Sequence, residues 1–501
     1  MLTACDGDVV DVSAEAGATG RTIVHFAAEY FPYARTGGLA EAVAGLAQTQ
    51  ARAGERVVVF LPLYPSVREH APDLEPLAPP QQIVIGGRGE EFRFFSETKA
   101  RGNPTVVFVD APGYFARSGL YGQDGGDYQD NHRRFALYCR AALEGVRQLL
   151  QGPVLLHAHD WHAALVPAYL RTNAELDAAL GHPPVMMSVH NAGYQGHFPP
   201  SLLPEVGLPS HLWSVDHFEW YGHANVLKGG LSFSDAVFTV SPSHARELCT
   251  VEGGFGLHDT FRLLGSRLHG ICNGIDHGVW DPAGHPWVVS HYARAHLDGK
   301  TSCKDALQRT MGLARRPDVP LFAMVARLAH QKGFDIVLQS ERIRTLDAQF
   351  VFLGEGEPGY QARLSALARE RPDSIAVEFG FTDLLEHRVI SGADAVLMPS
   401  LYEPCGLTQM HALRYGAPVI GRATGGIQDT IEDGVTGFLF DEFSATALDA
   451  AIDRAMTLYA SRRSWRAMVR RGMDCDFAWE RAERSYRAAY DTAEEMARAG
   501  V

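Results

Sequence analysis

Short apolar runs, dense in β-branched and aromatic residues and each followed by a helical stretch, recur along this chain in two separate series, and this recurrence restricts the fold most. The first series is Thr22–Ala28, Arg56–Leu61, Thr105–Val109, Val154–His159, Val185–His190, Ala236–Val240 and Leu268–Cys272. The second is Leu321–Val325, Phe350–Leu353, Ile375–Phe379, Ala393–Pro399, Pro418–Gly421 and Gly437–Phe440. Runs such as Val57-Val58-Val59-Phe60 offer no polar side to water, so they predict strands buried on both faces, as in parallel sheets covered by helices. Phe334–Arg344 and Ala447–Tyr459 carry apolar residues at helical spacing and predict two of those helices. The pattern predicts an α/β fold of doubly wound domains.

At ~150 residues per domain, a chain of 501 residues suggests about three domains, but the two series favour two. A loop-rich seam near 268–300 contains Asn273-Gly274-Ile275-Asp276 and Asp281-Pro282-Ala283-Gly284. The expected organisation is a disordered tail (1–20), a first domain (21–268), a second domain (269–476) and a terminal segment (477–501). Arg35-Thr36-Gly37-Gly38-Leu39 recurs as Arg422-Ala423-Thr424-Gly425-Gly426-Ile427, each copy following a strand and opening a helix, which reads as a repeat relating two similar halves.

Charge narrows the function. Lys and Arg number 45 against 59 Asp and Glu, a formal charge of −14, which argues against a general nucleic-acid binder. An anionic substrate would have to meet a few local cations. No window approaches ~18 uninterrupted apolar residues, so no membrane span is expected. The first twenty residues lack Lys and Arg and do not resemble a secretory signal. Leu2-Thr3-Ala4-Cys5 has the form of a lipoprotein box without the apolar region that should precede it. Seven dispersed cysteines without a C-x-x-C suit a reducing cytoplasm.

Five polar segments close strands and could carry chemistry. In Arg35-Thr36-Gly37-Gly38, paired glycines let backbone amides approach a phosphate, and Arg35 adds a full charge; the alternative is an ordinary strand-to-helix turn. Arg327 and Lys332, five residues apart after a strand, are the parts that stabilise a nucleoside-diphosphate leaving group without a metal, or else two solvated surface cations. Glu403, in Glu403-Pro404-Cys405-Gly406-Leu407-Thr408, suits sugar hydroxyls or a developing positive charge, or else caps a helix. His157-Ala158-His159-Asp160-Trp161-His162 has the H-x-H spacing of a metal site, but no second cluster downstream completes one, so sugar recognition with Trp161 as an apolar wall is preferred. Ser188-Val189-His190-Asn191 is the fifth.

Taken together, and with Ser241–Glu247, Asn273–Asp276 and Thr424–Gly426, these segments resemble, in order and over nearly the whole chain, bacterial glycogen synthases and plant starch synthases, a family of retaining glucosyltransferases. The resemblance implies a GT-B architecture of two Rossmann-like domains facing across a cleft, with a final helix, here Phe477–Met496, crossing back to the first. It implies transfer of glucose from ADP-glucose to the non-reducing end of an α-1,4-glucan such as glycogen, with retention, and neither cofactor nor metal. It gives Arg327 and Lys332 the donor diphosphate, Glu403 the glucosyl hydroxyls, and His190 and Asp160 the sugar pocket from the first domain. Arg35, Gly37, Gly38, Asn273, Phe381, Cys405, Gly406, Leu407, Thr424 and Gly425 would contact substrate. The family is described by same-face displacement through an ion-pair-like state rather than by a carboxylate nucleophile.

Three positions bear on the resemblance. Arg35 stands where many bacterial relatives have Lys, and Phe381 where relatives often have Tyr beside the base. His411 occupies the position where more distant GT-B enzymes carry a second Glu, eight residues after the first, which favours the synthases. Alternatives are a UDP-glucose-preferring synthase, a catalytically silent glucan-binding protein, and a metal hydrolase built on His157–His162.

Overall fold

In the first of two units, seven parallel strands form the spine: β1 (Thr22–Phe26), β2 (Arg56–Pro62), β3 (Thr105–Asp110), β4 (Val154–His159), β5 (Val185–Val189), β6 (Ala236–Thr239) and β7 (Leu268–Gly270). They lie in the order β7-β6-β5-β4-β1-β2-β3. Antiparallel strands Arg88–Ser96, Gln81–Ile85 and Glu75–Pro76, which the sequence pattern did not suggest, extend the sheet beyond β3. The computed structural model describes residues 20–97, 103–123 and 125–499; the expected tail, with Cys5, lies outside the described residues except for Gly20.

The second unit holds a wholly parallel sheet of β8 (Leu321–Val325), β9 (Gln349–Leu353), β10 (Ile375–Glu378), β11 (Ala395–Met398), β12 (Val419–Arg422) and β13 (Gly437–Phe440), in the order β10-β9-β8-β11-β12-β13. The units comprise the described parts of Met1–Val240, Ala245–Ile271 and Trp479–Val501 for the first, and Ser241–His244 with Cys272–Ala478 for the second. Counting parallel strands within each unit, the first sheet runs 3-2-1-4-5-6-7 and the second 3-2-1-4-5-6, the doubly wound order. The strand order reverses between strands 1 and 4, where successive connections part and leave a crevice at the carboxyl ends. In the first unit that point lies between β1 and β4, and in the second between β8 and β11.

The Thr-Gly-Gly copies are not equivalent in this topology. Arg35–Gly38 follows β1, the first strand of its unit, whereas Thr424–Gly426 follows β12, the fifth strand of the other. The segment equivalent to Arg35–Gly38 is Arg327–Gly333 after β8. Strand-to-helix turns draw glycine generally, and that shared demand produced the match. The predicted helix Phe334–Arg344 is also two helices, Phe334–Gln339 and Glu341–Thr345. Ser340 leaves the helical conformation, and its hydroxyl accepts from the Ile343 amide while donating to Asp449. The apolar spacing runs unbroken across this cap, so periodicity alone could not find it.

The last helix, Trp479–Ala499, belongs to the first unit. Trp479, Ala482, Tyr486 and Tyr490 cover Ile23, Leu155, Met186 and Phe238, the residues of four adjacent strands that share one face of the sheet. Gly45 on the helix Gly38–Arg52 admits Trp479, since a Cβ there would lie 2.1 Å from its indole nitrogen. Among the described residues no helix is long and apolar enough to cross a membrane.

Candidate active site

The loops at the second sheet's switch point are fastened together. Gly333, at φ +80°, lets the loop after β8 approach Pro399 so closely that a Cβ would lie 2.0 Å from the carbonyl oxygen. The Leu401 amide donates to Gln331 O at 2.8 Å, and the Gln331 amide group to Tyr402 O at 3.3 Å. This seam brings Lys332 Nζ to 2.6 Å from Glu403 Oε2, which also accepts from Ser400 Oγ at 3.0 Å. Glu403 is buried at 5% exposure and caps nothing, for Leu407 holds the N-cap position of the helix Thr408–Arg414 with no side-chain bond. Lys332 is half-buried and paired, not a solvated turn cation. Arg327 is exposed, with no hydrogen-bond or ion-pair partner among the described residues. The site therefore presents one balanced ion pair and one uncompensated cation, suited to a dianionic diphosphate.

Around this pair the glycines pack loop against loop. A Cβ on Gly425 (φ +44°) would lie 2.0 Å from Glu403 O, and one on Gly426 1.9 Å from Cys405 O; the Gly426 amide donates to Glu403 O at 3.0 Å. Ser241 Oγ donates to Pro404 O at 2.7 Å, and Ser243 binds Asp429 through both amide and hydroxyl. Thr424 is buried at the start of the helix Gly425–Thr430. Cys405 is buried and burial pushes its thiol up, so what it can offer a substrate is backbone; Gly406 (φ +69°) and Leu407 follow at the loop's end. Asn273 is 7% exposed and its Oδ1 is buried without a hydrogen-bond partner among the described residues, an acceptor in want of a hydroxyl. Phe381 follows β10, its amide donating to Glu355 Oε1 at 3.2 Å. His411 stacks on Trp280 at 3.5 Å between centroids and supplies no carboxylate.

In the first unit, Asp160 closes β4 at φ +55°, and its Oδ1 accepts from the amides of His190 at 2.7 Å and Asn191 at 3.4 Å. The carboxylate thus ties the ends of β4 and β5 together and sets His190 in place. Burial pushes the Asp160 carboxyl up to about 7, against the pull of those amides. Burial also takes His190 down to about 3, so its imidazole is neutral. Arg35 pairs with Glu41 at 3.2 Å. The amides of Thr36 and Gly37, with the Thr36 hydroxyl, donate to Glu29, a buried carboxylate that also accepts from the Tyr121 hydroxyl. Of the loop groups expected to reach phosphate, the Gly37 amide and the Arg35 guanidinium are therefore engaged within the protein. Gly37 is extended, with open space within 4 Å of a built Cβ, so the fold itself does not demand glycine there; Gly38 begins the following helix.

The His157–His162 segment is less a polar strand end than expected. His157 and His159 are completely buried, and Trp161 lies against Phe135 and against Gly196, where a Cβ would meet the indole at 2.3 Å. Trp161 is a packing wall for the loop after β5. His162 stacks on Tyr121 at 4.4 Å. Glu29, Ser400 and the neighbours of His157 and His159 went unnoticed in the sequence because no motif marks them; a carboxylate immediately after β1 was the one visible signal for Glu29.

Residues 22–263 match the family described as starch synthase catalytic domain, and 312–471 match glycosyl transferases group 1. A glycogen synthase of Anaeromyxobacter dehalogenans is 42% identical over 94% of this chain and 98% of its own length. Glycogen synthase 2 of Geobacter sulfurreducens is 39% identical over 94% and 99%. The catalytic domain of starch synthase IV from Arabidopsis thaliana, solved with ADP and acarbose, superposes with a TM-score of 0.87 at 32% identity over 95% of this chain and 99% of that one.

Proposed function

Because the chain belongs to the glycogen synthase and starch synthase family of GT-B glycosyltransferases, we propose that it transfers glucose from ADP-glucose to the non-reducing end of an α-1,4-glucan with retention of configuration, in glycogen biosynthesis. The observation that carries this reading is Arg327, exposed and with no ion-pair partner among the described residues, on the same switch-point loop as Lys332, which pairs with Glu403.

In the proposed reaction the bond from C1 of glucose to the diphosphate oxygen breaks, the glucan hydroxyl bonds to C1, and its proton leaves with ADP. Arg327 and Lys332 meet the charge that develops on the diphosphate as it departs. Glu403 faces two demands, holding Lys332 and accepting from glucosyl hydroxyls, which fits an orienting carboxylate better than a nucleophile. Asn273 Oδ1 offers a further acceptor for a sugar hydroxyl. Of the first unit's residues, His190 (neutral) and Asp160 are assigned to sugar hydroxyls, and Arg35 with the open space at the Gly37 Cα to phosphate. Phe381, Thr424, Gly425 and the Cys405–Leu407 backbone would bound the nucleotide and sugar. The free thiols of Cys139, Cys249, Cys272, Cys303, Cys405 and Cys475 suit the reducing cytoplasm, where we place the reaction.

Radiolabelled ADP-glucose and UDP-glucose, assayed side by side on a glycogen primer, test the reading. Label incorporated from ADP-glucose at a higher kcat/KM supports it. Preference for UDP-glucose overturns the donor assignment, and glucan binding without transfer from either donor overturns the activity.

A further inference from the structure

Four histidines of the first unit, with Gln50 and Tyr490 between them, form a continuous hydrogen-bonded chain that ends at His190. His25, His157 and His159 lie on one face of β1 and β4, in register with Ser188 on β5, beneath the terminal helix. His25 Nε2 faces Gln50 Oε1 at 2.8 Å, and His25 Nδ1 faces His159 Nε2 at 2.9 Å. His159 Nδ1 faces His190 Nε2 at 3.0 Å. At the far end the Gln50 amide nitrogen donates to the Tyr490 hydroxyl at 3.4 Å; Tyr490 lies 2.6 Å from His157 Nδ1, and His157 Nε2 lies 2.7 Å from Ser188 Oγ.

Burial holds all four imidazoles below their ordinary value, His25 at about 4 and His190 at about 3, so each is neutral, with one donor and one acceptor nitrogen. One end then determines the rest. An amide oxygen only accepts, so His25 carries its proton on Nε2 and accepts at Nδ1. His159 must therefore donate from Nε2 and accept at Nδ1, and His190 must donate from Nε2. Gln50 stands with its amide nitrogen towards Tyr490, whose oxygen accepts from it and whose own proton is then available to His157 Nδ1. Turning that amide over would reverse every bond and put the proton of His190 on Nδ1.

We propose that Gln50 and Tyr490, acting through His25 and His159, are positioning residues that hold His190 in its Nε2-protonated tautomer and so present Nδ1 as an acceptor to a glucosyl hydroxyl. The sugar-facing part rests on the function proposed above; the tautomer does not. One ring nitrogen from each of His25, His157 and His159 lies within 4.8 Å of the others, close enough for an ion, yet all six ring nitrogens are already hydrogen-bonded, and an ion would have to displace those bonds.

The test is two-bond ¹H–¹⁵N correlation spectroscopy on the full chain labelled with ¹⁵N-histidine, without substrate, on wild type, Tyr490→Phe and Gln50→Met. The wild type is expected to show His25, His159 and His190 protonated on Nε2. In both variants the His190 signal is expected to move to the Nδ1-protonated form or a mixture, with kcat about tenfold lower and the KM for glucan primer unchanged. An Nδ1-protonated His190 in the wild type overturns the proposal, as does a stoichiometric bound metal ion. So does loss of activity with unchanged tautomers, which is the mark of a merely structural role, or altered tautomers with full kcat. If Gln50→Met does not fold, the wild-type spectrum and the isosteric Tyr490→Phe still decide. A wild type that transfers no glucose while showing the expected tautomers overturns the sugar-facing role and the proposed function, and leaves the tautomer assignment intact.

Discussion

Lys332 Nζ lies 2.6 Å from Glu403 Oε2, so the cation assigned to the diphosphate and the carboxylate assigned to the sugar are one ion pair before any donor arrives. Breaking the pair from either side should remove preorganised charge at the reacting bond. Lys332→Ala and Glu403→Gln are each expected to lower kcat by about 10²–10³-fold. Steady-state assays of both single variants and the double variant check this; the double loss should fall short of the product of the singles, because the residues share one interaction.

The Gly-Gly pairs separate packing from ligand approach. Gly426→Ala puts a Cβ 1.9 Å from Cys405 O and is expected to destabilise the second unit by about 1–3 kcal/mol. Gly37→Ala meets open space, so its unfolding midpoint should stay within about 0.5 kcal/mol of wild type. Its kcat/KM for the nucleotide sugar should nonetheless fall about tenfold. Denaturant titration beside donor kinetics gives both readings.

Acid should destabilise the first unit from neutrality downward. His25, His162 and His190 are held by burial at about 4, 3 and 3 in the folded protein, below their value in the unfolded chain. Their contribution is complete above about pH 6.5 and is lost as pH falls towards those values, because the unfolded chain binds protons first. Asp160, raised to about 7, acts oppositely: its contribution is present below about pH 4 and lost as pH rises through 7, offsetting about one histidine. His162 lies outside the hydrogen-bonded chain, its Nδ1 buried with no hydrogen-bond partner among the described residues. His162→Phe should therefore flatten the slope of unfolding free energy between pH 6 and 4 by about 1.4 kcal/mol per pH unit, measured by urea titration at several pH values.

Trp479 anchors the terminal helix in the groove left by Gly45. Trp479→Ala is expected to cost about 3–5 kcal/mol in the first unit. Gly45→Val should reproduce much of that loss by filling the groove from the other side. Equilibrium unfolding followed by tyrosine and tryptophan fluorescence, with far-UV circular dichroism for the Trp479 variant, measures both.

The sequence determined the parallel strands, the α/β class, the family and the polar strand ends, because each is written in contiguous residues: the apolar run Leu321–Val325, the pair Arg327 and Lys332, the loop Glu403–Thr408. A buried parallel strand needs an unbroken apolar run, and a switch-point loop needs its cations and glycines within a few positions of the strand's end. Tertiary structure alone decided which polar residues meet. Glu29 takes the amides of the Thr36–Gly37 turn, and the H-x-H of β4 finds His25 on the neighbouring strand. Gln50 meets Tyr490 across 440 residues of chain. Strand order, register and the path of the last helix bring these groups together, and none of the three is written in local spacing. Burial then acts on what they assembled: it makes the imidazoles neutral, obliges each nitrogen to find a partner, and turns a set of dispersed histidines into one connected chain ending at His190.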